Sequence, residues 1–155
     1  MKKIEGRFAN AGGRYTLVAA RFNGFIVDHL IEGARDTLVR HGVNDDDITL
    51  VQVPGAFELP QAVNSVVKAG QTDAVISLGC VIRGATPHFD YVSGECVKGI
   101  GQLAMQADIP VVLGVLTTDS IEQAIERAGT KAGNKGAEAA MAALEMSDLI
   151  KQIRA

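Results

Sequence analysis

Four short runs that are apolar at almost every position, separated by longer stretches with helical spacing, constrain this chain more than any other feature. The runs are residues 15–21 (YTLVAAR), 48–53, 74–82 and 111–116. Between the first two, Val27, Leu30, Ile31, Ala34 and Leu38 place one apolar stripe along residues 24–41, the spacing of an amphipathic helix. Similar reasoning predicts helices over 58–68, 91–107, 119–128 and 134–153. Gly42 supplies a stop for the first helix, and Pro54-Gly55 breaks the second strand. A strand without a polar face has to be covered on both sides, and alternation with helices supplies the cover through right-handed crossovers. The expected fold is α/β: a doubly wound, three-layer α/β/α sandwich with a four-stranded parallel sheet, preceded by an extended N-terminal segment. The 155 residues read as one domain, 1–155, long enough to bury a core without disulfide or metal.

Charge removes several function classes. The net charge of −3, with no long Lys/Arg run, is wrong for a protein that grips nucleic acid or anionic lipid. Residues 1–15 contain two lysines but no apolar segment behind them, and the most apolar stretch, 74–82, is too short to span a bilayer. A cytoplasmic protein is expected. Cys80 and Cys96 lack C-x-x-C spacing and are expected to be unpaired, reduced and not catalytic. A mean hydropathy of +0.16 hints that other subunits cover part of the apolar surface.

In a doubly wound sheet, chemistry belongs to the loops at the carboxyl ends of the strands. Here these are residues 22–24, 54–58, 83–90 and 117–119, and almost every reactive side-chain type occurs among them. His88 follows Pro87 in the third loop, where a partly exposed imidazole can act as acid or base near neutral pH; a loop histidine bonded to Asp90 is the alternative of equal weight. Arg83-Gly84-Ala85-Thr86 offers backbone N–H groups, a hydroxyl and a positive charge suited to phosphate, or simply a glycine turn. Arg127 has no acid four residues to either side, and with Lys131 and Lys135 it flanks Gly129 and Gly133, an arrangement that suits an anion. Phe22, directly after the first strand, can stack on a flat heterocycle, and Glu58 can accept hydrogen bonds from a polyol or cap a helix. His29 and His41 lie on a helix and at its end and read as structural.

Three other signals point nowhere. Residues 129–136 lack the glycine and hydroxyl residue of a nucleotide-binding P-loop, and Gly99-Ile100-Gly101-Gln102-Leu103-Ala104 falls inside a helix instead of at a strand-to-helix turn. His88 and Asp90 have no third ligand nearby, so no metal is expected.

The collinear segments Ala20-Arg21-Phe22-Asn23, residues 54–60 (PGAFELP), 78–84 (LGCVIRG), 86–91 (TPHFDY), 114–118 (GVLTT) and 128–136 (AGTKAGNKG) resemble lumazine synthases over nearly the whole chain. That resemblance implies condensation of 5-amino-6-ribitylaminouracil with 3,4-dihydroxy-2-butanone 4-phosphate, two small-molecule substrates, with no cofactor. It implies that Phe22 stacks on the pyrimidine, that Ala56, Phe57 and Glu58 hold the ribityl chain, and that backbone groups of Cys80, Val81 and Ile82 read the uracil edge. Ala85, Thr86 and Arg127 would hold phosphate with Lys135 nearby, and His88 would move protons. Leu113 stands where many members have an aromatic residue in the pyrimidine wall, which implies altered affinity. The resemblance further implies a pentamer with sites between subunits, twelve pentamers in an icosahedral shell suggested by the short 128–135 connection, and riboflavin synthase as a partner. Two rivals are a non-catalytic shell that binds flavin or lumazine and a flavodoxin-like electron carrier. The layout is flavodoxin-like, but Phe22-Asn23-Gly24 is too short and too poor in hydroxyls for that carrier's phosphate loop.

Overall fold

The structure, a computed structural model, describes residues 1–9 and 11–155. Four parallel strands, β1 (Tyr15–Ala20), β2 (Ile48–Val53), β3 (Ala74–Ile82) and β4 (Val111–Thr118), form a sheet in the order β2-β1-β3-β4. Its helices are α1 (Gly24–Arg40), α2 (Leu59–Ala69), α3 (His88–Gln106), α4 (Ile121–Glu126) and α5 (Lys135–Arg154). The expected architecture is therefore observed, as is the extended N-terminal segment. That segment is pinned to α5, with the Arg7 backbone N–H donating to Asp148 at 2.8 Å and Gln152 donating to the Glu5 carbonyl at 2.7 Å.

The strand sequences explain the order. β1 is buried at all six positions because it is central, with Leu17 and Ala19 facing one core and Val18 and Ala20 the other. The first core fills with Leu30, Leu38, Ala140 and Leu144 from α1 and α5; the second fills with Leu59, Val63, Cys96 and Ile100 from α2 and α3. Each such aliphatic side chain contributes about 1.5–3 kcal/mol on full burial. The edge strand β2 exposes Thr49, Leu50 and Gln52, so its apolar run does not carry cover on both faces as the sequence suggested. Gly136 lets α5 lie against α1, since a Cβ there would collide with the Leu30 carbonyl.

Several boundaries move. α3 starts at His88 instead of 91, because Pro87, at φ −69°, begins the turn and makes His88 the first helical residue. A 3-10 turn over Ala56–Glu58 precedes α2. β4 runs through Thr118, so Thr117 and Thr118 are strand and not loop. The helix expected over 119–128 shortens to α4, capped by the Ser120 hydroxyl accepting from the Gln123 N–H at 3.2 Å. Beyond it, β5 (Ala128–Thr130) and β6 (Gly133–Asn134) make a small hairpin that the sequence reading missed, with Gly129 at φ 108° and Gly133 at φ 81°. Asn134 then caps α5 by accepting from the Ala137 N–H at 3.0 Å.

Candidate active site

The carboxyl ends of β1, β2 and β3 and the first turn of α3 enclose a cleft of about 710 Å³. Phe22 and Phe57 line it with exposures of 71% and 59%, unusual for rings that a fold would otherwise bury. Asn23 sets the geometry on the Phe22 side. It takes the left-handed conformation, φ 58° and ψ 41°, and its Nδ2 donates to the Cys80 carbonyl at 2.8 Å, tying the β1–α1 turn to β3. Buried Ala56 and the carboxylate of Glu58 occupy the next wall, and Cys80, Val81 and Ile82 form the floor. Burial pushes the Cys80 thiol up to about 11, so it stays neutral and is no nucleophile, as the sequence suggested. Cys96, unpaired in the second core, is raised to about 11 for the same reason.

Gly84, Thr86 and His88 complete the mouth of this cleft, while Ala85 is exposed in the same loop without lining it. His88 is exposed, and among the described residues no hydrogen bond engages its ring. The alternative in which Asp90 holds it is corrected: Asp90 instead accepts from Arg83 Nη1 at 3.3 Å. Arg83 also donates from Nε to Asp119 at 2.9 Å, and that contact together with Asp90 raises its pKa further. With its charge matched by two carboxylates, Arg83 is not the free cation offered to phosphate by the sequence reading.

Arg127 and Lys135 lie in a different place. They line a second cavity of about 250 Å³ with Val115, Leu116, Thr117, Thr118, Ala132 and Glu138. Arg127 is not unneutralised: its Nη1 is 3.7 Å from Glu126, its sequence neighbour, and donates to the Gln123 carbonyl at 3.0 Å. A search for acids at helical spacing passes over that neighbour. Lys135 Nζ sits 3.2 Å from Glu138. Both pairs are half-exposed and loosely held, so an anion can displace the carboxylates at little cost. Lys131 is exposed and outside the cavity, and Leu113 stands on edge strand β4, 38% exposed, lining neither cavity. The sequence reading missed Asn23, Tyr91 and Glu138 as lining residues; an Asn before Gly at a strand-to-helix turn was the one available signal.

The two cavities share the carboxyl side of one sheet, and the sequence model of the 6,7-dimethyl-8-ribityllumazine synthase family matches residues 12–151. The chain belongs to that family. The match takes in every strand and helices α1 to α4, hence all of both cavities. Lumazine synthase membership implies the lumazine synthase reaction, a step of riboflavin biosynthesis, and this decides against an electron carrier on the same type of sheet. Among the described residues, no helix of this lumazine synthase is long and apolar enough to cross a membrane.

Proposed function

We propose that this enzyme condenses 5-amino-6-ribitylaminouracil with 3,4-dihydroxy-2-butanone 4-phosphate to 6,7-dimethyl-8-ribityllumazine, phosphate and water, at a site whose two halves come from neighbouring subunits. The separation of the Phe22-to-His88 cleft from the Arg127/Lys135 cavity within one chain carries the reading. In it, Phe22 stacks on the pyrimidine, Ala56, Phe57 and Glu58 take the ribityl chain, and the backbone of Cys80, Val81 and Ile82 reads the uracil edge. Ala85 and Thr86 hold phosphate, and Arg127 and Lys135 reach it from the adjacent subunit, whose Leu113 closes the apolar wall.

The chemistry fits these groups. The pyrimidine amine attacks the ketone and water leaves; phosphate is then eliminated, and ring closure expels water again. Each step needs protons moved but no protein nucleophile, and an unbonded imidazole at the cleft mouth suits the task. No cofactor enters this scheme. Joining two substrates on one surface supplies most of the acceleration, because it removes the entropy cost of their encounter.

Apolar side chains left open on the single chain, among them Tyr91, Val97, Met105, Leu113, Ile121 and Ile125, support assembly into at least a pentamer. We extend the reading to twelve pentamers in an icosahedral shell, working in the cytoplasm as a single 1–155 domain, with riboflavin synthase as the partner that takes the product. The test is direct: mix purified protein with both substrates and follow lumazine formation by visible absorbance against a protein-free control. Acceleration weakened by His88→Ala and by Arg127→Ala supports the reading, and no acceleration from folded, assembled protein overturns it in favour of a binding shell.

A further inference from the structure

Half of the ion pairs among the described residues join residues within four positions of each other, such as Arg40 with Asp36 or Lys3 with Glu5. Arg83 differs. It follows β3, and its backbone N–H prolongs the sheet by donating to the Thr118 carbonyl at 2.8 Å. Its guanidinium joins two elements, with Nε on Asp119 at the β4–α4 corner (2.9 Å) and Nη1 on Asp90 in the first turn of α3 (3.3 Å). The guanidinium carbon lies 4.3 Å from the centroid of the Phe89 ring. Arg83 lines neither cavity, but Gly84, Thr86, His88 and Phe89 all line the larger one.

The connection continues past Asp119. Its backbone N–H donates to Gln123 Oε1 at 2.8 Å, and the Gln123 carbonyl accepts from Arg127 Nη1 at 3.0 Å. One chain of polar contacts thus runs from the turn that carries His88, through Arg83, to the arginine of the second cavity.

We propose that Arg83 is a positioning residue for the condensation, fixing the Thr86–His88 turn against the corner that leads to Arg127. The inference rests on the lumazine synthase reading of the two cavities. Half-exposed ion pairs contribute little to folding, whereas a displacement of about 1 Å at a reacting group costs on the order of a hundredfold in rate. Loss of Arg83 therefore acts on turnover more than on stability. Arginine suits the place because its planar fork spans two carboxylates while its face rests on a ring, a geometry that the compact ammonium of lysine does not reproduce.

The experiment compares assembled wild-type protein with Arg83→Ala, Arg83→Lys and Asp119→Asn, varying each substrate in turn. The wild-type rate tests the reaction by itself: no lumazine from wild type overturns the underlying reading whatever Arg83 does. With an active wild type, Arg83→Ala is expected to lower kcat about tenfold and raise the butanone phosphate KM about tenfold. The pyrimidine KM should stay within about twofold, because Phe22, Glu58 and Val81 are held without Arg83. Arg83→Lys should recover part of the loss, and Asp119→Asn should reproduce the butanone phosphate effect. If Arg83→Ala does not assemble, Asp90→Asn and Asp119→Asn cut the two arms separately and carry the same test. Wild-type constants in these variants, or an equal rise in both KM values, overturn the proposal.

Discussion

The aromatic cleft and the Arg127/Lys135 cavity are built on opposite principles. The larger is apolar and aromatic, with exposed rings over a floor of buried strand ends; the smaller is polar, its cations held by adjacent carboxylates. A stacked ring and a backbone edge can be preformed in one subunit, because neither needs a counter-charge. On the proposed reading the smaller cavity takes the phosphate, and its half-exposed cations stand beside Glu126 and Glu138, which an anion can displace at little cost. The difference predicts that the first cavity sets which heterocycle is accepted and the second sets how well the phosphate substrate is used.

Among the residues lining the two cavities, Arg127 should give the largest effect. A hydrogen bond to a charged group contributes about 1.5–3 kcal/mol, so Arg127→Ala is expected to cut kcat/KM for the butanone phosphate on the order of a hundredfold, with the pyrimidine KM little changed. Steady-state kinetics with each substrate varied in turn checks it, and a loss falling on the pyrimidine would break the division. His88→Ala comes next. The imidazole is exposed, so water replaces it in part, and the expected loss is about tenfold in kcat, below the usual range of about a hundred to ten thousandfold for general acid–base catalysis. Single-turnover rates showing a greater loss for His88 than for Arg127 would reverse the ranking.

Phe22→Ala should affect the other substrate. Removing an aromatic stacking partner costs about 0.5–1.5 kcal/mol beyond lost area, so the pyrimidine KM is expected to rise roughly tenfold while the butanone phosphate KM holds. Leu113→Phe is milder. On the proposed reading it puts a ring into the wall that a neighbouring subunit presents, and titration with the lumazine product should show affinity increased about threefold. Unchanged affinity would mean that β4 does not face the pyrimidine of the adjacent site.

Much of this organisation is legible in the sequence, and the exceptions share a cause. β1 and β3 announce themselves because central strands have no polar face, and Phe22, Glu58 and His88 follow from their place at strand ends. The β5–β6 hairpin did not, since two glycines at positive φ among lysines and alanines look like a loop between helices. His88 reads as a loop residue because the first turn, His88-Phe89-Asp90-Tyr91, shows no apolar helical period of its own, although Pro87 marks a helix start. The partners of Arg83 and Arg127 escaped for another reason. Asp119 lies 36 residues from Arg83, and Glu126 adjoins Arg127, so neither falls at the spacing that reveals helical pairs.

The two thiols offer the finest comparison, because Cys80 floors the cleft and Cys96 points from α3 into the second core, yet burial raises both to about 11. Their ordinary value is 9.0, so the folded protein favours the neutral thiol. The sign follows: each contributes stability that is fully present below about pH 9 and is lost as pH rises towards about 11. Denaturant midpoints measured across that interval should fall, and fall less in Cys80→Ala or Cys96→Ala. At neutral pH, Cys80→Ala should leave turnover within about twofold, because on the proposed reading the cleft uses the backbone of residue 80 and not its sulfur. Bound pyrimidine should then slow alkylation of Cys80 at high pH and leave Cys96 unaffected, since only Cys80 lines the cleft. Equal protection of both thiols would show that the ligand stiffens the whole second core instead of covering the floor of one cavity.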